Sequence, residues 1–242
     1  QNINPTRASA VLGNREKTLY GPGFVLDTLC GTQFAISSRS FYQVNRTQTE
    51  VLYKKALELA KLTGRETVID AYCGIGTIGL CAAPLAKQVI GVERNPAAVK
   101  DAAANARHNK LSNAKFVCAD ALEYPLPESD VFILNDMLHY MSYEHQRTLL
   151  LRCVERLRPG GKLIVRDGNA ANTGKHRLTR FTELLSTGIF NFNKTTEQLC
   201  FTSEEQISSI AQACGMQLEI LPNDRYTSNT IYIFQKNKPE HE

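Results

Sequence analysis

The sequence predicts an open α/β fold, a mostly parallel sheet covered by helices on both faces. Three observations predict it. From about residue 67 to residue 166, short apolar runs alternate with stretches of helical spacing. Alternation at these lengths is what parallel strands joined by crossover helices require. A glycine-rich turn, Gly74-Ile75-Gly76, links the first such run to the first such helix. Of the 242 residues, 43% are hydrophobic and 21% charged, which excludes a disordered chain. The length suits one large domain, or one domain with an extension.

The elements follow in order. Residues 1–40 form a small β appendage, because Gly13-Asn14, Gly21-Pro22-Gly23 and Gly31-Thr32 punctuate pieces such as Phe24-Val25-Leu26 and Phe34-Ala35-Ile36. From about residue 47 to 62 the stripe Val51, Leu52, Ala56, Leu59, Ala60, Leu62 predicts a helix, ended by Gly64. Thr67-Val68-Ile69-Asp70 is the first buried strand, and a helix over residues 78–87 follows the glycine turn. Val89-Ile90-Gly91-Val92-Glu93 is the second strand, and Asn95 caps the next helix with Pro96 in its first turn. Lys115-Phe116-Val117-Cys118 and Val131-Phe132-Ile133-Leu134 are the third and fourth strands. A helix over residues 145–156 stops at Arg158-Pro159-Gly160-Gly161, which turns into a fifth strand at 162–166.

Residues 168–200 break the rhythm. They form an insertion with a partial helix at 178–185 and a Phe190-Asn191-Phe192-Asn193 stretch. Its length suits a lid or acceptor-contacting segment. Thr202-x-x-Glu205 then has the capping-box pattern, opening a helix that Gly215 closes. Residues 217–221 and 230–235 make a terminal hairpin.

Composition narrows the function further. No apolar run approaches the roughly 18–20 residues that span a bilayer, so no membrane role is expected, and residues 1–10 lack a signal-peptide core. The seven cysteines are scattered without a C-x-x-C pair. That pattern supports neither a metal site nor a disulfide framework and points to the cytoplasm. The net charge of +4 is too small to argue for nucleic acid. Between Arg152 and Arg180 eight basic residues face only Glu155 and Asp167, which is read as a solvated face ahead of an anion site.

The stretch that carries chemistry is Asp70-Ala71-Tyr72-Cys73-Gly74-Ile75-Gly76-Thr77-Ile78-Gly79. Gly74 and Gly76 permit a tight turn and a close backbone approach to a ligand. Glu93, ending the second strand, can accept both hydroxyls of a ribose. Asp120, after the third strand, can accept from an exocyclic adenine amine. Asn135 and Asp136 end the fourth strand beside the crevice where open α/β sheets bind ligands. An acid ahead of the glycines, as Asp70 is, would repel a pyrophosphate and suits a sulfonium and an ammonium group. The expected cofactor is therefore S-adenosylmethionine, with S-adenosylhomocysteine as its product.

Residues 1 to about 122 resemble the bacterial 23S ribosomal RNA uracil-5-methyltransferases. The matching stretches are Gln1-Asn2-Ile3-Asn4, Phe34-Ala35-Ile36-Ser37, Ser40-Phe41-Tyr42-Gln43-Val44-Asn45, Thr49-Glu50-Val51-Leu52-Tyr53 and residues 68–80. The resemblance implies that Gln43, Tyr72 and Glu93 contact S-adenosylmethionine. It also implies that the appendage is the tail of an RNA-handling region whose iron–sulfur and TRAM modules lie outside this sequence.

The second half departs from that family. Where the family has Asp-Pro-Pro-Arg, this chain has Leu134-Asn135-Asp136-Met137-Leu138; where it has a nucleophilic cysteine in Ser-Cys-Asn-Pro, this chain has Arg166-Asp167-Gly168-Asn169. The family's late glutamate has no counterpart. Carbon 5 of uracil needs a thiolate added at carbon 6 before it attacks a methyl group, so RNA is not the expected substrate. From about residue 129 the chain is similar instead to small-molecule class I methyltransferases, through Asp130-Val131-Phe132-Ile133, Asp136-Met137-Leu138-His139-Tyr140, Leu157-Arg158-Pro159-Gly160-Gly161 and Phe201-Thr202-Ser203-Glu204-Glu205. Both branches have a Rossmann-like seven-stranded sheet, with strand order 3-2-1-4-5-7-6 and the last strand antiparallel. The chain reads as a chimera, residues 41–122 from one branch and 129–242 from the other. The absence of an initial methionine fits an excised or constructed piece.

The catalytic residues are left unassigned. His139, Asp136 and Tyr140 are candidate bases near the cofactor mouth, but the apolar context of His139 favours a packed imidazole. Asp167 reads first as a loop cap, and His176, among Lys175, Arg177 and Arg180, as a solvated side chain. Three functions stay open: methyl transfer to an unknown small-molecule acceptor, cofactor binding without turnover, and, disfavoured, RNA methylation.

Overall fold

A computed structural model of the chain describes residues 2–3, 15–38, 40–169, 199–222 and 229–238. The chain enters through two small antiparallel pairs. β1 (Asn2–Ile3) pairs with β2 (Arg15–Glu16), and β3 (Phe24–Leu29) with β4 (Thr32–Ser37). The turn between β3 and β4 is Cys30-Gly31, with φ of 49° and 81°. Two positive φ values in a two-residue loop match the twist of paired strands.

The main body begins with α1 (Arg46–Ala60), capped by the Asn45 side chain. Strand β5 (Thr67–Ala71) is buried at every position. There follow α2 (Thr77–Ala82), β6 (Gln88–Glu93), α3 (Pro96–His108), β7 (Ala114–Cys118), β8 (Ser129–Asn135), α4 (Tyr143–Arg156) and β9 (Leu157–Gly168). The chain finishes with α5 (Glu204–Ala213), β10 (Gln217–Pro222) and β11 (Asn229–Gln235). Seven strands form one sheet in the order β10-β11-β9-β8-β5-β6-β7. Strands β5 to β9 run parallel, and β11 is antiparallel to both its neighbours. In chain order this is 3-2-1-4-5-7-6, as the resemblance implied.

Strand alternation builds two cores. Ile69, Phe132, Leu134, Leu163 and Val165 point to the face covered by α4 and α5, where Leu149, Leu150 and Ile207 meet them. Val68, Val131, Ile133 and Ile164 point to the other face, against Tyr53, Ile78 and Leu80. Each fully buried side chain of this size contributes about 1.5–3 kcal/mol. On that second face, Leu52 and Ala56 of α1 meet Ile133, Ile164 and Ile231 around a void of about 10 Å³, at the lower limit for holding one water. Among the described residues no helix is long and apolar enough to cross a membrane.

Several boundaries differ from the sequence reading, each for a local reason. Helix α1 stops at Ala60 because Lys61 turns left-handed (φ 51°), before Gly64 is reached. Helix α2 is short, and Pro84 sits in a 3-10 turn over Ala83–Leu85 rather than in a longer helix. Helix α4 starts at Tyr143 because Ser142, not a later residue, supplies the cap. The Pro159-Gly160-Gly161 stretch belongs to β9, where the Gln235 side chain donates to the Gly160 and Gly161 carbonyls. The capping box lies one residue later than Thr202/Glu205: Ser203 accepts from Gln206 N–H and Ser203 N–H donates to the Gln206 side chain. The expected helix at 178–185, the 190–193 stretch and the turn between β10 and β11 lie outside the described residues.

The hairpin is held by a device the periodicity did not reveal. Asn105 Oδ1 accepts from Ala35 N–H at 2.8 Å, and its amide donates to Ala35 O at 3.3 Å. One helical turn on, Asn109 repeats this with Gln33 at 2.9 and 2.6 Å. Spacing of i, i+4 on α3 thus matches i, i+2 on β4, and two amides continue the sheet's hydrogen bonding. Asn105 is 1% exposed, so Asn105→Ala leaves both Ala35 groups without partners. We expect a loss of about 1–3 kcal/mol by urea titration and faster exchange at the Ala35 amide; an unchanged midpoint would contradict the docking role.

Candidate functional site

At the end of β5 the chain turns through three residues of positive φ: Tyr72 (61°), Gly74 (55°) and Gly76 (80°). Cys73 N–H donates to Val92 O of β6 at 3.1 Å, and Gly76 N–H to Cys73 O at 2.8 Å. The two glycines serve different ends. A Cβ on Gly76 would lie 2.7 Å from the Phe116 ring, whereas one on Gly74 would meet nothing within 4 Å. Gly76 is therefore a packing glycine, and Gly74 leaves backbone open on the crevice side. Tyr53 of α1 shares a 2.7 Å hydrogen bond with Thr77, fixing where α2 begins.

Asp70, expected from sequence to face a sulfonium or ammonium group, ends a buried strand and is hydrogen-bonded within the fold. It is 3% exposed, and Oδ2 accepts from Gly79 N–H at 2.9 Å. Burial pushes its carboxyl up to about 7, opposed by the Gly79 hydrogen bond and reinforced by the Glu93 charge. Its role is to fasten the first turns of α2 to the sheet.

The other predicted ligands fall into two groups. Glu93, at the tip of β6, takes Gly74 N–H on Oε2 at 3.1 Å and Asn95 N–H on Oε1 at 2.8 Å. Tyr72 donates its hydroxyl to Asp120 Oδ1 at 3.0 Å, where Leu122 N–H also donates at 2.9 Å. Arg94 Nε lies 3.5 Å from Asp120 Oδ2. Burial first, then the Asp120 charge, raises the Tyr72 phenol above its usual range. Tyr72, Gly74, Glu93 and Asp120 thus form one connected rim. Gln43 sits half-buried on the segment leading into α1.

The second group stands at the carboxyl ends of β8 and β9. Asn135 donates to Asp136 Oδ2 at 3.1 Å, and Arg166 pairs with the same oxygen. Asp136 has a φ of 52°; packing raises its carboxyl pKa while Arg166 pulls it down. Three residues on, His139 is 3% exposed and Asp167 1%. His139 Nδ1 lies 2.6 Å from Asp167 Oδ1. Asp167 also accepts from Leu138 N–H at 2.7 Å and His139 N–H at 3.3 Å, so it does cap this turn. Phe201 stacks on the imidazole at 5.5 Å and Tyr140 tilts against it at 4.1 Å.

Sequence reasoning missed Gln146. It is 2% exposed and donates to Leu138, Met141 and Cys200 carbonyls while accepting from Thr202. A lone glutamine on the apolar stripe of α4 was the available signal. The basic excess is partly structural. Arg152 donates to Tyr124 O, Arg158 to Asp130 and Lys162 to Leu59 O. His176, Lys175, Arg177 and Arg180 lie outside the described residues.

A family profile described as a methyltransferase domain matches residues 62–232. The chain belongs to the methyltransferase domain family. Among curated relatives, an uncharacterized RNA methyltransferase of Listeria monocytogenes is 56% identical over 123 residues, covering 51% of this chain and 27% of the relative. One of Halalkalibacterium halodurans is 55% identical over 121 residues, covering 50% and 26%. The match thus spans about a quarter of these relatives' length. A tRNA (uracil-54, C5)-methyltransferase of Pyrococcus abyssi, solved with S-adenosyl-L-homocysteine, superposes with a TM-score of 0.65 at 20% identity over 97% of this chain and 49% of that one. The N-methyltransferase NodS of Bradyrhizobium japonicum superposes at 0.59 and 16% identity, over 81% and 100%. These two likenesses show the fold.

The Asp70 geometry makes stability depend on pH in this methyltransferase domain. Between about pH 4 and 7 the folded Asp70 keeps a proton that an unfolded aspartate has lost, so its contribution falls as pH rises through that window. Asp70→Asn still offers an oxygen to Gly79. Its stability relative to the parent should climb with pH by up to about 1.4 kcal/mol per unit. Urea midpoints at the two ends of the window check this, and a constant difference would refute it.

Proposed function

We propose that the crevice at the carboxyl ends of β5, β6, β7 and β8 binds S-adenosylmethionine and serves methyl transfer to a small-molecule acceptor. One observation carries the cofactor reading: two acceptor-only carboxylates, Glu93 and Asp120, flank the open backbone at Gly74. Such a rim suits a ribose diol and an exocyclic amine and repels a pyrophosphate. Each Glu93 oxygen takes one backbone N–H, and each keeps a lone pair for a ribose hydroxyl. Asp120 is assigned to the amine through Oδ2, which Arg94 Nε also approaches at 3.5 Å, with Tyr72 holding the carboxylate through Oδ1. Gln43, on the segment leading into α1, and Asn135, at the end of β8, are the further residues we assign to the cofactor. The bound group supplies an electrophilic methyl carbon on a sulfonium; the chain orients it and excludes water.

The acceptor side supports a small molecule. The cysteine nearest the cofactor turn, Cys73, is buried and its thiol is pushed well above the ordinary range, which is the opposite of what attack on uracil carbon 6 needs. The names of the curated relatives favour RNA as a second reading. A chain recombined from two branches accounts for relatives that match only half of it, and cofactor binding without turnover is the outcome if the halves do not cooperate. Cys30, Cys73, Cys81, Cys118, Cys153 and Cys214 stand as thiols, in keeping with a cytoplasmic protein.

Calorimetric titration with S-adenosylhomocysteine tests the reading. Micromolar binding is expected, weakened by about 1.5–3 kcal/mol, or ten- to hundredfold, in Glu93→Ala. Binding that ignores this substitution would refute the ribose assignment. Methylation of a uracil-containing ribosomal RNA fragment would overturn the small-molecule acceptor.

A further inference from the structure

The sheet ends at β7, which has a neighbour, β6, on one side only. Val89 N–H donates to Asn113 O, and Ala119 N–H to Glu93 O. The odd-numbered residues of this stretch therefore turn their backbone groups toward β6. Backbone groups alternate along a strand, so the N–H and C=O of Ala114, Phe116 and Cys118 point away from the sheet. Such an edge is a template for another strand. Beside it runs a groove of about 650 Å³, between β7 and the second half of α3. Ala103, Ala106, Leu111 and Phe116 give it an apolar lining, and the Phe116 ring is held in place against Gly76 and Gly91. The rim is cationic. Arg107, Lys110 and Lys115 border the groove, all three are exposed, and no carboxylate lines it. Arg107 continues a stripe of α3 that begins with Lys100 and Ala103, at i, i+3 and i+7. Lys110 follows in the turn, with a φ of 58°, where glycine or asparagine is the usual residue. Lys115 alternates with Phe116 and so stands on the opposite face of the strand.

We propose that this edge is a docking site for an acidic, extended peptide segment of a partner protein, which adds to β7 as a further strand. Its backbone bonds to Ala114, Phe116 and Cys118. Its small apolar side chains cover Ala103, Ala106 and the Phe116 ring. Its carboxylates meet Arg107 and Lys110 on the helix side and Lys115 on the other face. The pattern of polar groups and the charge together select this occupant. Outward N–H and C=O groups alternate along the edge, and another peptide backbone matches that alternation. A nucleic acid would meet the cations, but its phosphates would also face the outward carbonyls, and the wedged Phe116 ring gives its bases no free face to stack on. A second copy pairing through the same edge would set cation against cation, which disfavours it. An edge lysine likewise discourages an uncharged strand, whereas an acidic one gains from it. Docking here does not depend on what the crevice binds.

The test titrates the full chain, without cofactor, with a fluorescein-labelled synthetic peptide of alternating Glu and Val. Saturable binding is expected by anisotropy, weakening as salt is raised. Lys115→Glu and Arg107→Glu, both at exposed positions, should each raise the Kd about tenfold. A peptide of alternating Glu and Pro keeps the charge but lacks half of the N–H donors, and should bind at least about tenfold more weakly than the Glu–Val peptide. Amide hydrogen exchange gives a readout that needs no variant. The Glu–Val peptide should slow Ala114, Phe116 and Cys118 more than Lys115 and Val117, whose amides already face β6. Equal binding of the two peptides, protection that spares the three outward amides, or no saturation up to millimolar peptide would overturn the proposal. Tighter binding of oligouridylate, lost in Lys115→Glu, would give the groove to RNA instead. A dimer in sedimentation that Lys115→Glu dissociates would give it to a second copy, and either result overturns the peptide.

Discussion

The buried hydrogen bond from Gly79 N–H to Asp70 sets how closely α2 can lie on the sheet, and the crevice depends on that distance. For the bond to form, the helix must descend until its glycine backbone touches the strands. A Cβ on Gly79 would lie 3.0 Å from Val89 and 3.1 Å from Asp70 Oδ2. Phe116 wedges from β7 against both Gly76 and Gly91, so neither of those positions has room for a methyl group. Three glycines and one aspartate thus allow a helix start to sit low, and in the turn above it Tyr72 and Gly74 take positive φ. The Glu93 carboxylate then ties the turn to the tip of β6. A desolvated acid is costly, and here its cost is tolerated where the backbone must be held open.

The fold was legible in the sequence because its signals are local and periodic. Val68/Ile69 and Phe132/Ile133 alternate between two cores, and a strand apolar on both faces can belong only to a doubly covered sheet. The Asn95–Pro96 cap was equally plain, since the side chain accepts from Ala97 N–H two residues away. Boundaries were less legible where tertiary contacts decide. Pro159-Gly160-Gly161 has the composition of a turn, yet Gln235, some seventy-five residues later in sequence, draws it into β9.

The site was legible as a set of positions but not as a network. Glu93 and Asp120 were read as candidate ligands from their places after strands, and the structure links them to Gly74 and Tyr72 respectively. The Asp70 hydrogen bond to Gly79 was not legible: no pattern in sequence says that an acid before a glycine turn will hold the helix that follows. The Asn105–Asn109 ladder was invisible for the same reason, since its partners on β4 lie seventy or more residues away. His139, a candidate base read first as a packed imidazole, and Asp167, read as a loop cap, are seen as a pair only in the structure, 2.6 Å apart. Between β5 and β8, Asp130 accepts from Thr67 N–H at 2.7 Å and from Arg158 at 3.0 Å. That bond and the near-absence of a void beside Ile133 give the sheet a continuous core across β5 and β8.

The most direct test of the crevice is amide hydrogen exchange with and without S-adenosylhomocysteine. A ligand seated on the Gly74 backbone between Glu93 and Asp120 should slow exchange at residues 72–79, 93–97 and 119–124 together, and leave the β3–β4 hairpin unchanged. Protection confined to the hairpin, or spread evenly over the chain, would contradict the account.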